Sequence, residues 1–463
     1  AAWIASTINT ILTSRAGELL LYGLRLRSFA HVQRLGLDYF ETTQSGRIMT
    51  RMTTDIDSLS KFLQEGLAQA IVSGATLIGV SIMLLVTAPR LALVALTSLP
   101  IVIVATVIFR RISSRLYSEA RGQISTVNAD FQELVNGIRT SQVYNQQDSD
   151  VERFTHSALE YRRLRMQAQT VVSIYFPGIN ALSELASAAV VGVGAVMVLN
   201  GTVTAGVLVA FMIYMNLLFA PIQQLSQVFD MYQQAEVGLR RISDLLSQST
   251  SVPDSGRLTH VPNGSLSLDD ITFAYSNGVE VLHEVSETID EGSTVAVVGA
   301  TGAGKSTIVK LLARFYDPTA GAVRAVDTDI RDVTLAAWRG SLGFVPQESH
   351  LFAGTIASNI AYGKPEATPN DVIHAARCIG ALRAIAAIPG GFLAPVGEDG
   401  RGLSSGQRQL IALARAELVK PQLMLLDEAT STLDPATEKT ILSASTRLMS
   451  NRTSVICLLY TSD

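Results

Sequence analysis

The stretch that decides the fold is STVAVVGATGAGKST, residues 293–307. Its first half is an apolar, β-branched run typical of a strand, and its second half has the spacing of a phosphate-binding loop. In such a loop glycines let backbone N–H groups converge on phosphate oxygens, and the following helix presents its positive end. We expect Lys305 to reach the terminal phosphates and the Ser306 hydroxyl to ligate Mg²⁺. The predicted nucleotide-contacting residues here are Gly299, Ala300, Thr301, Gly302, Ala303, Gly304, Lys305, Ser306 and Thr307.

A second motif, QLMLLDE at 422–428, is an apolar strand that ends in two carboxylates. Taken alone, Asp427 and Glu428 could be two solvated acids after a strand. Together with a phosphate loop they predict a catalytic pair. Asp427 would lie on the Mg²⁺ side, and Glu428 would orient and polarise the water that attacks the γ-phosphate.

The composition is too apolar for an ordinary soluble protein of 463 residues: 48% is hydrophobic, 16% is charged, and the mean hydropathy is +0.30. The apolar residues are concentrated in charge-free stretches. These hold 24 residues between Glu65 and Arg90, 19 between Arg90 and Arg110, and 45 between Glu184 and Asp230. At about 1.5 Å of helix per residue, the first stretch exceeds the roughly 30 Å hydrocarbon core of a bilayer. We therefore expect transmembrane helices.

The basic residues predict the orientation of these spans. Two long connections, 25–61 and 110–165, hold six and nine Lys or Arg residues, whereas the short turns hold only Arg90. Both connections are therefore expected on the cytoplasmic side, and Pro221 is expected to kink the last span. The chain has no basic tract, so nucleic acid is not an expected partner. The predicted spans are a partial one at 3–24, then 66–88, 91–109, one that ends near 199, and 207–228.

Composition changes near 248–264, where Pro, Ser and Gly cluster. Beyond this point short β-rich runs alternate with helical patterns, which predicts a cytosolic α/β domain with a largely parallel sheet. Cys378 and Cys457 have neither metal-ligand spacing nor a disulfide pattern. The predicted domains are a helical transmembrane domain at 1–245, a linker at 246–264, a nucleotide-binding domain at 265–456 and a tail at 457–463.

Between the two motifs lies VGEDGRGLSSGQRQLIALARAEL, 396–418, which resembles the ATP-binding cassette (ABC) family. The run 403–407, LSSGQ, is similar to the signature of that family, although Ser405 stands where glycine is more usual. A helix N-terminus here would offer backbone donors to an anion. The resemblance implies that this surface meets ATP held by a second subunit, so that the protein works as a homo- or heterodimer of half-transporters. The predicted signature residues are Ser404, Ser405, Gly406 and Gln407.

Further matches follow in the order of the family. Tyr275 in ITFAYSNG is similar to the aromatic that stacks on adenine, although such a residue alone could be an ordinary strand aromatic. Gln347 in FVPQE is similar to the glutamine that senses Mg²⁺ and couples to the membrane domain. The run STLD, 431–434, is similar to the loop that contacts the other subunit. The resemblance implies ATP and Mg²⁺, with Ser306, Gln347 and Asp427 around the metal and Gln347 and Glu428 in catalysis.

The membrane half also resembles the exporters of this family. The runs LDYFETTQSGRIMTRMTTDIDSLS, 37–60, and ELVNGIRTSQVYNQQ, 133–147, look like its two intracellular loops. Each would carry a short coupling helix that seats on a cassette, although both could be merely solvated basic helices. Glu184 interrupts an apolar stretch, so it either faces a substrate cavity or lies where the helix has left the bilayer.

The fold class expected is a helical transmembrane domain of exporter type followed by an ABC-type α/β domain with a phosphate-binding loop. Fusion of the two parts favours ATP-driven export of amphiphilic small molecules or lipids across the cytoplasmic membrane, with the cassette in the cytoplasm. The substrate itself does not follow from these residues. Two alternatives stay open, which are a catalytically impaired regulatory partner of a heterodimer and a soluble-type ABC ATPase.

Both ends of the sequence carry an expectation. The chain opens AAWIAST, inside an apolar segment, and the six spans of the family imply that the first and part of the second precede it. Near the other end, Arg452 and Thr453 introduce a strand at whose end the family has a γ-phosphate-contacting histidine, which falls at Leu459. Either the site is degenerate, or residues 457–463, CLLYTSD, are read-through from a sequencing adapter. We favour the second interpretation.

Overall fold

A computed structural model describes residues 2–300, 302–427 and 435–459. The chain divides into two compact units, one made of residues 1–26 and 51–243 and the other of 27–50 and 244–463. The segment 27–50 therefore belongs to the same compact unit as the α/β part, although its place in the sequence is inside the predicted membrane domain. The boundaries predicted for the domains, the linker and the tail stay predictions.

The N-terminal half is helical. Two π-helical turns, Arg51–Asp55 and Phe62–Gly66, join three of its helices into one continuous run. The helices are α1 Ala2–Val32, α2 Leu37–Thr42, α3 Ser45–Thr50, α4 Ile56–Lys61, α5 Leu67–Thr87, α6 Pro89–Asn136, α7 Ile138–Val143, α8 Gln147–Leu199 and α9 Ala205–Leu246.

Among the described residues, four helical runs are long and apolar enough to cross a membrane: Ser45–Thr87, Pro89–Asn136, Gln147–Leu199 and Ala205–Leu246. They contain the four full spans expected from the sequence, while α1 falls outside this set. Each run is longer than its charge-free part, because the helix continues into the charged connection. The last of them runs unbroken through Pro221.

The α/β part follows the linker. Its strands are β1 Leu266–Ala274, β2 Glu280–Ile289, β3 Thr294–Gly299, β4 Ala320–Ala325, β5 Thr328–Asp329, β6 Leu342–Val345, β7 Gly354–Thr355, β8 Pro395–Val396, β9 Leu423–Asp427 and β10 Thr453–Leu459. Its helices are α10 Lys305–Leu312, α11 Leu335–Gly340, α12 Ile356–Ile360, α13 Pro369–Cys378, α14 Leu382–Ala386, α15 Ser405–Leu418 and α16 Pro435–Met449.

Two four-stranded sheets organise the described part of this region. One is parallel with the order β3-β10-β9-β6, and the other is antiparallel with the order β2-β1-β4-β5. The expected parallel sheet is therefore present. All four parallel strands end at one edge, which is where α/β proteins bind ligands. The strand predicted near the end of the chain is β10, and it lies between β3 and β9.

Neighbouring residues of β9 point to opposite faces of the parallel sheet and enter two different hydrophobic cores. Leu425 packs into the core that joins the two sheets and α10. Leu426 packs into a second core, which is built with α12, α13, α15 and α16. The phosphate loop is therefore supported by the first core and the helical part by the second.

Candidate functional site

The phosphate loop connects β3 to α10, as its sequence predicts. Gly302 and Gly304 have φ angles of +86° and +88°, in the left-handed region that favours glycine. Gly304 is also the residue that caps α10, and a Cβ added there would lie 2.9 Å from Leu282 Cδ2. A side chain at either glycine would therefore strain the backbone of the loop, and at Gly304 it would also be crowded. Thr301 lies outside the described residues.

The Lys305 side chain is buried along the loop rather than extended into solvent. Its Nζ donates hydrogen bonds to the carbonyl oxygens of Gly299 at 2.8 Å and Ala300 at 3.0 Å. An ammonium group has three N–H donors, so these two bonds leave donor capacity for an anion. The loop therefore holds a fixed positive charge at the N-terminus of α10.

Ser306 and Asp427 come together although 121 residues separate them in the chain. The Ser306 hydroxyl donates to Asp427 Oδ1 at 2.9 Å, which links the start of α10 to the end of β9. This contact arises because parallel strands end at the same sheet edge. Glu428, the expected catalytic carboxylate, lies outside the described residues.

Two more sequence positions reach the same edge. Gln347 is exposed and lies two residues beyond the end of β6, whose Val345 pairs with Leu426 of β9. Position 459, where the family histidine is expected, pairs in backbone register with Gly299. The strand register thus brings both positions to the edge that carries the phosphate loop.

Tyr275 follows β1 and is half-buried beside the loop. Its hydroxyl lies 3.0 Å from Thr307 Oγ1, and its ring makes an edge contact with Phe273 at 4.9 Å. It is therefore attached to the loop and does not simply pack within a strand.

Three residues around Tyr275 were not foreseen from the sequence. Lys310 Nζ lies 5.6 Å from the Tyr275 ring centroid, and Tyr316 packs edge-on against that ring at 5.5 Å. Both also bond to Glu41 of α2. One signal was available, because Lys310 stands three residues after Thr307 and so shares its helix face.

The signature residues begin α15, in the second core. Ser404 caps the helix, since its Oγ accepts from the Gln407 N–H at 3.2 Å and Gln407 Oε1 accepts from the Ser404 N–H at 2.9 Å. Ser405 is exposed, whereas Gly406 is buried so tightly that a Cβ would meet Thr437 Cγ2. Within one chain, the signature helix therefore packs into the second hydrophobic core, whereas the phosphate loop is supported by the first. Residues 431–434 lie outside the described residues.

The two segments expected to couple membrane and cassette each contain a short helix. These are α2 and α3 in the first and α7 in the second. Glu184 is an exposed residue of α8.

Two successive parts of the chain match two protein families. Residues 1–222 match the ABC transporter transmembrane region, and residues 282–431 match the ABC transporter family. The two matches cover the helical half and the α/β part that carries the phosphate loop and the signature.

The chain is also similar in sequence to individual proteins whose names are consistent with these families. The chain is 40% identical over 455 residues to the multidrug efflux ATP-binding/permease protein of Mycobacterium bovis, which covers 98% of this chain and 38% of that protein. It is 32% identical over 458 residues to the ATP-dependent lipid A-core flippase of Chromobacterium violaceum, covering 98% of this chain and 78% of that protein.

Among solved structures, the chain resembles one described as a bacterial Atm1-family ABC exporter with ATP bound. The TM-score is 0.80 at 27% identity, and the match covers 98% of this chain and 80% of the other. The chain spans less than two thirds of the mycobacterial relative but more than three quarters of the flippase. Similar sequence, order of regions and fold all lead to one conclusion: this chain belongs to the ABC transporter family and is a multi-pass membrane protein with the fold of a bacterial half-exporter.

Proposed function

We propose that this chain is the ATP-hydrolysing subunit of a dimeric exporter that moves amphiphilic small molecules or lipids across the cytoplasmic membrane. The observation that carries the proposal is the Ser306–Asp427 contact at the end of the parallel sheet, in a chain whose described residues also include four membrane-length helices. The contact joins a phosphate-binding loop to a carboxylate, as a nucleotide–Mg²⁺ site needs.

The residues present fit Mg²⁺. The Ser306 hydroxyl and the Asp427 carboxylate supply adjacent oxygen ligands, and Mg²⁺ in nucleotide sites takes one or two carboxylates together with phosphates. Within the described ranges no three His, Cys, Asp or Glu side chains form a metal-binding group. When bound, Mg²⁺ would neutralise developing charge on the phosphates, with Gln347 as a further ligand.

The remaining site residues would act on the nucleotide directly. Lys305 would bind the terminal phosphates, with the loop N–H groups and the N-terminus of α10. Tyr275 would stack on adenine, and Glu428 would orient the attacking water. The exposed N-terminus of α15 at Ser404 would contact the nucleotide of a second half-transporter, which is why we propose a homo- or heterodimer.

The export direction and substrate class rest on two kinds of support. The membrane-length helices of this chain are apolar, which suits amphiphiles. Two relatives are named for multidrug efflux and for flipping of lipid A-core.

The test is ATP hydrolysis and transport by the purified chain in proteoliposomes. We expect Mg²⁺-dependent hydrolysis that Glu428→Gln abolishes while nucleotide binding is retained, together with ATP-driven movement of a fluorescent lipid or an amphiphilic dye. Hydrolysis without movement of either substrate would refute export. Absence of nucleotide binding would refute the whole proposal.

The regulatory-partner alternative would follow if Leu459 at the histidine position were native, whereas Glu428 and the nearly complete signature argue against it. The same assay separates the two. A regulatory subunit would bind MgATP yet hydrolyse it no faster than its own Glu428→Gln variant, whereas a catalytic subunit would lose its turnover in that variant.

A further inference from the structure

A carboxylate of the first cytoplasmic connection makes two close hydrogen bonds within the cassette unit. Glu41 of α2 accepts through Oε1 from Lys310 Nζ at 2.7 Å and through Oε2 from the Tyr316 hydroxyl at 2.6 Å. The exposed fractions of the two ion-pair side chains are 38% for Glu41 and 27% for Lys310. Both oxygens of one carboxylate are therefore engaged in a partly desolvated setting.

The two partners of Glu41 converge on the same ring. Lys310 Nζ lies 5.6 Å from the Tyr275 centroid, and Tyr316 meets Tyr275 edge to face at 5.5 Å with an interplanar angle of 87°. Both arrangements are attractive for an aromatic ring. Since Tyr275 also bonds to Thr307 at 3.0 Å, a continuous set of contacts leads from α2 to the phosphate loop.

The charges in this cluster support one another. Burial by itself would raise the pKa of Glu41, but the bonds from Lys310 and Tyr316 lower it overall. Burial would likewise lower the pKa of Lys310, yet the hydrogen bond that it donates to Glu41 leaves that pKa raised. The ion pair is therefore fully charged near neutral pH. An isolated ion pair on a protein surface contributes little to stability. Here Lys310 and Tyr316, the two partners of the Glu41 carboxylate, also hold the ring of Tyr275.

We infer that Glu41 is a positioning residue for Tyr275: it holds Lys310 and Tyr316 against the ring that would stack on adenine. The inference rests on the proposed function, because it needs nucleotide binding at this site. Its consequence is a thermodynamic linkage. If seating of α2 favours the binding-competent ring, then binding of an adenine nucleotide must favour seating of α2 by the same factor.

The test measures binding of MgATP and of magnesium tripolyphosphate, which lacks a base, to the full chain in nanodiscs. In Glu41→Gln we expect MgATP affinity to fall about three- to tenfold, as for loss of a cation–ring and an aromatic contact, and tripolyphosphate affinity to stay unchanged. Asp38→Asn is the matched control. It removes one charge from the same helix, but Asp38 accepts a hydrogen bond from Ser251 and is linked to Tyr316 only by a weaker coulombic interaction, so we expect less than about a twofold change.

A double-mutant cycle tests whether the effect acts through the ring. In a Tyr275→Ala background Glu41→Gln should cause no further loss of MgATP affinity. MgATP should also slow hydrogen exchange at the amides of Leu37–Thr42 in the wild type and not in Tyr275→Ala. If Glu41→Gln lowers the unfolding temperature, Tyr316→Phe replaces it, since that change removes only the hydroxyl that donates to Glu41.

The outcomes separate this inference from the proposed function. Failure of the wild type to bind MgATP refutes both. If the wild type binds MgATP normally, any one of three results overturns the inference but leaves the proposed function standing. These results are equal MgATP affinity in Glu41→Gln, an equal loss of affinity for MgATP and tripolyphosphate, or additive losses of affinity in the double-mutant cycle.

Discussion

Asn359 provides the sharpest stability prediction, because its side chain is 1% exposed and makes four hydrogen bonds. Its Oδ1 accepts from the Phe352 N–H at 2.9 Å and from Arg415 at 3.2 Å, and its Nδ2 donates to the carbonyls of Phe352 at 2.8 Å and Thr355 at 3.0 Å. These hydrogen bonds connect the segment that follows Gln347 to α12 and α15. Replacement by the similarly sized leucine removes all four at once.

The expected cost follows from the count of bonds. At a net 0.5–1 kcal/mol each, their loss comes to about 3 kcal/mol. For a region of this size about 3 kcal/mol corresponds to a fall of about 6–12 °C in the unfolding midpoint. Burial lowers the pKa of the Arg415 guanidinium, so loss of an acceptor at that group adds to the cost.

Tryptophan fluorescence can report this transition in the full chain. Trp338 is 1% exposed in the cassette core and donates to the Leu312 carbonyl, whereas Trp3 is 78% exposed on α1. The two are the only tryptophans of the sequence. A Trp3→Phe background therefore leaves a probe that reports unfolding of the cassette.

The matched control is Asn277→Leu, which removes one exposed bond, from the Val279 N–H at 3.0 Å. We expect that control to shift the midpoint by less than about 3 °C. If Asn359→Leu lowers the midpoint by no more than Asn277→Leu does, the four bonds are not a net source of stability and the reasoning is wrong.

Four further predictions concern the nucleotide site. Gly304→Ala should weaken MgATP binding more than about tenfold, because a β-carbon is both strained and crowded there; a titration that matches the wild type would contradict this. Asp427→Asn should raise the Mg²⁺ concentration for half-maximal hydrolysis about tenfold, since it removes the charge beside Ser306, and an unchanged midpoint would exclude a metal role. Leu459→His should raise turnover about tenfold or more if the register places that position at the phosphates, and equal rates would refute the alignment. Despite burial, the bonds to Glu41 lower its pKa below the ordinary 4.5. The contribution of these bonds to MgATP affinity is therefore present above pH 4.5 and lost as the pH falls through the lowered pKa. The difference in MgATP affinity between wild type and Glu41→Gln should then persist from pH 8 to pH 6. A difference that disappears in that window would show that another group is responsible.

Much of the fold could be predicted from the sequence. The phosphate loop, the helix that follows it and the signature helix are local patterns, with glycine or cap residues at fixed spacing. The membrane-length helices were predictable from charge-free length. How far these helices continue into the charged connections was not, because apolar periodicity ends before the backbone hydrogen bonding does.

The order of the parallel strands could not be read from the chain. β10 comes last yet pairs with both β3 and β9, and this arrangement brings Ser306 within 2.9 Å of Asp427. Sequence patterns report how apolar a strand is but contain no information about which strands become its neighbours.

The sequence alone was enough to predict the chemical parts: a phosphate loop, a carboxylate pair, a signature helix and apolar spans. The contact of Glu41 with Lys310, 269 residues away, and the packing of Lys310 and Tyr316 on the ring of Tyr275 became visible only in the folded chain. The physical reason is that motifs depend on local spacing along the backbone, whereas these contacts depend on how two distant segments pack. Such packing is fixed by the burial and pairing of the whole unit rather than by any local pattern.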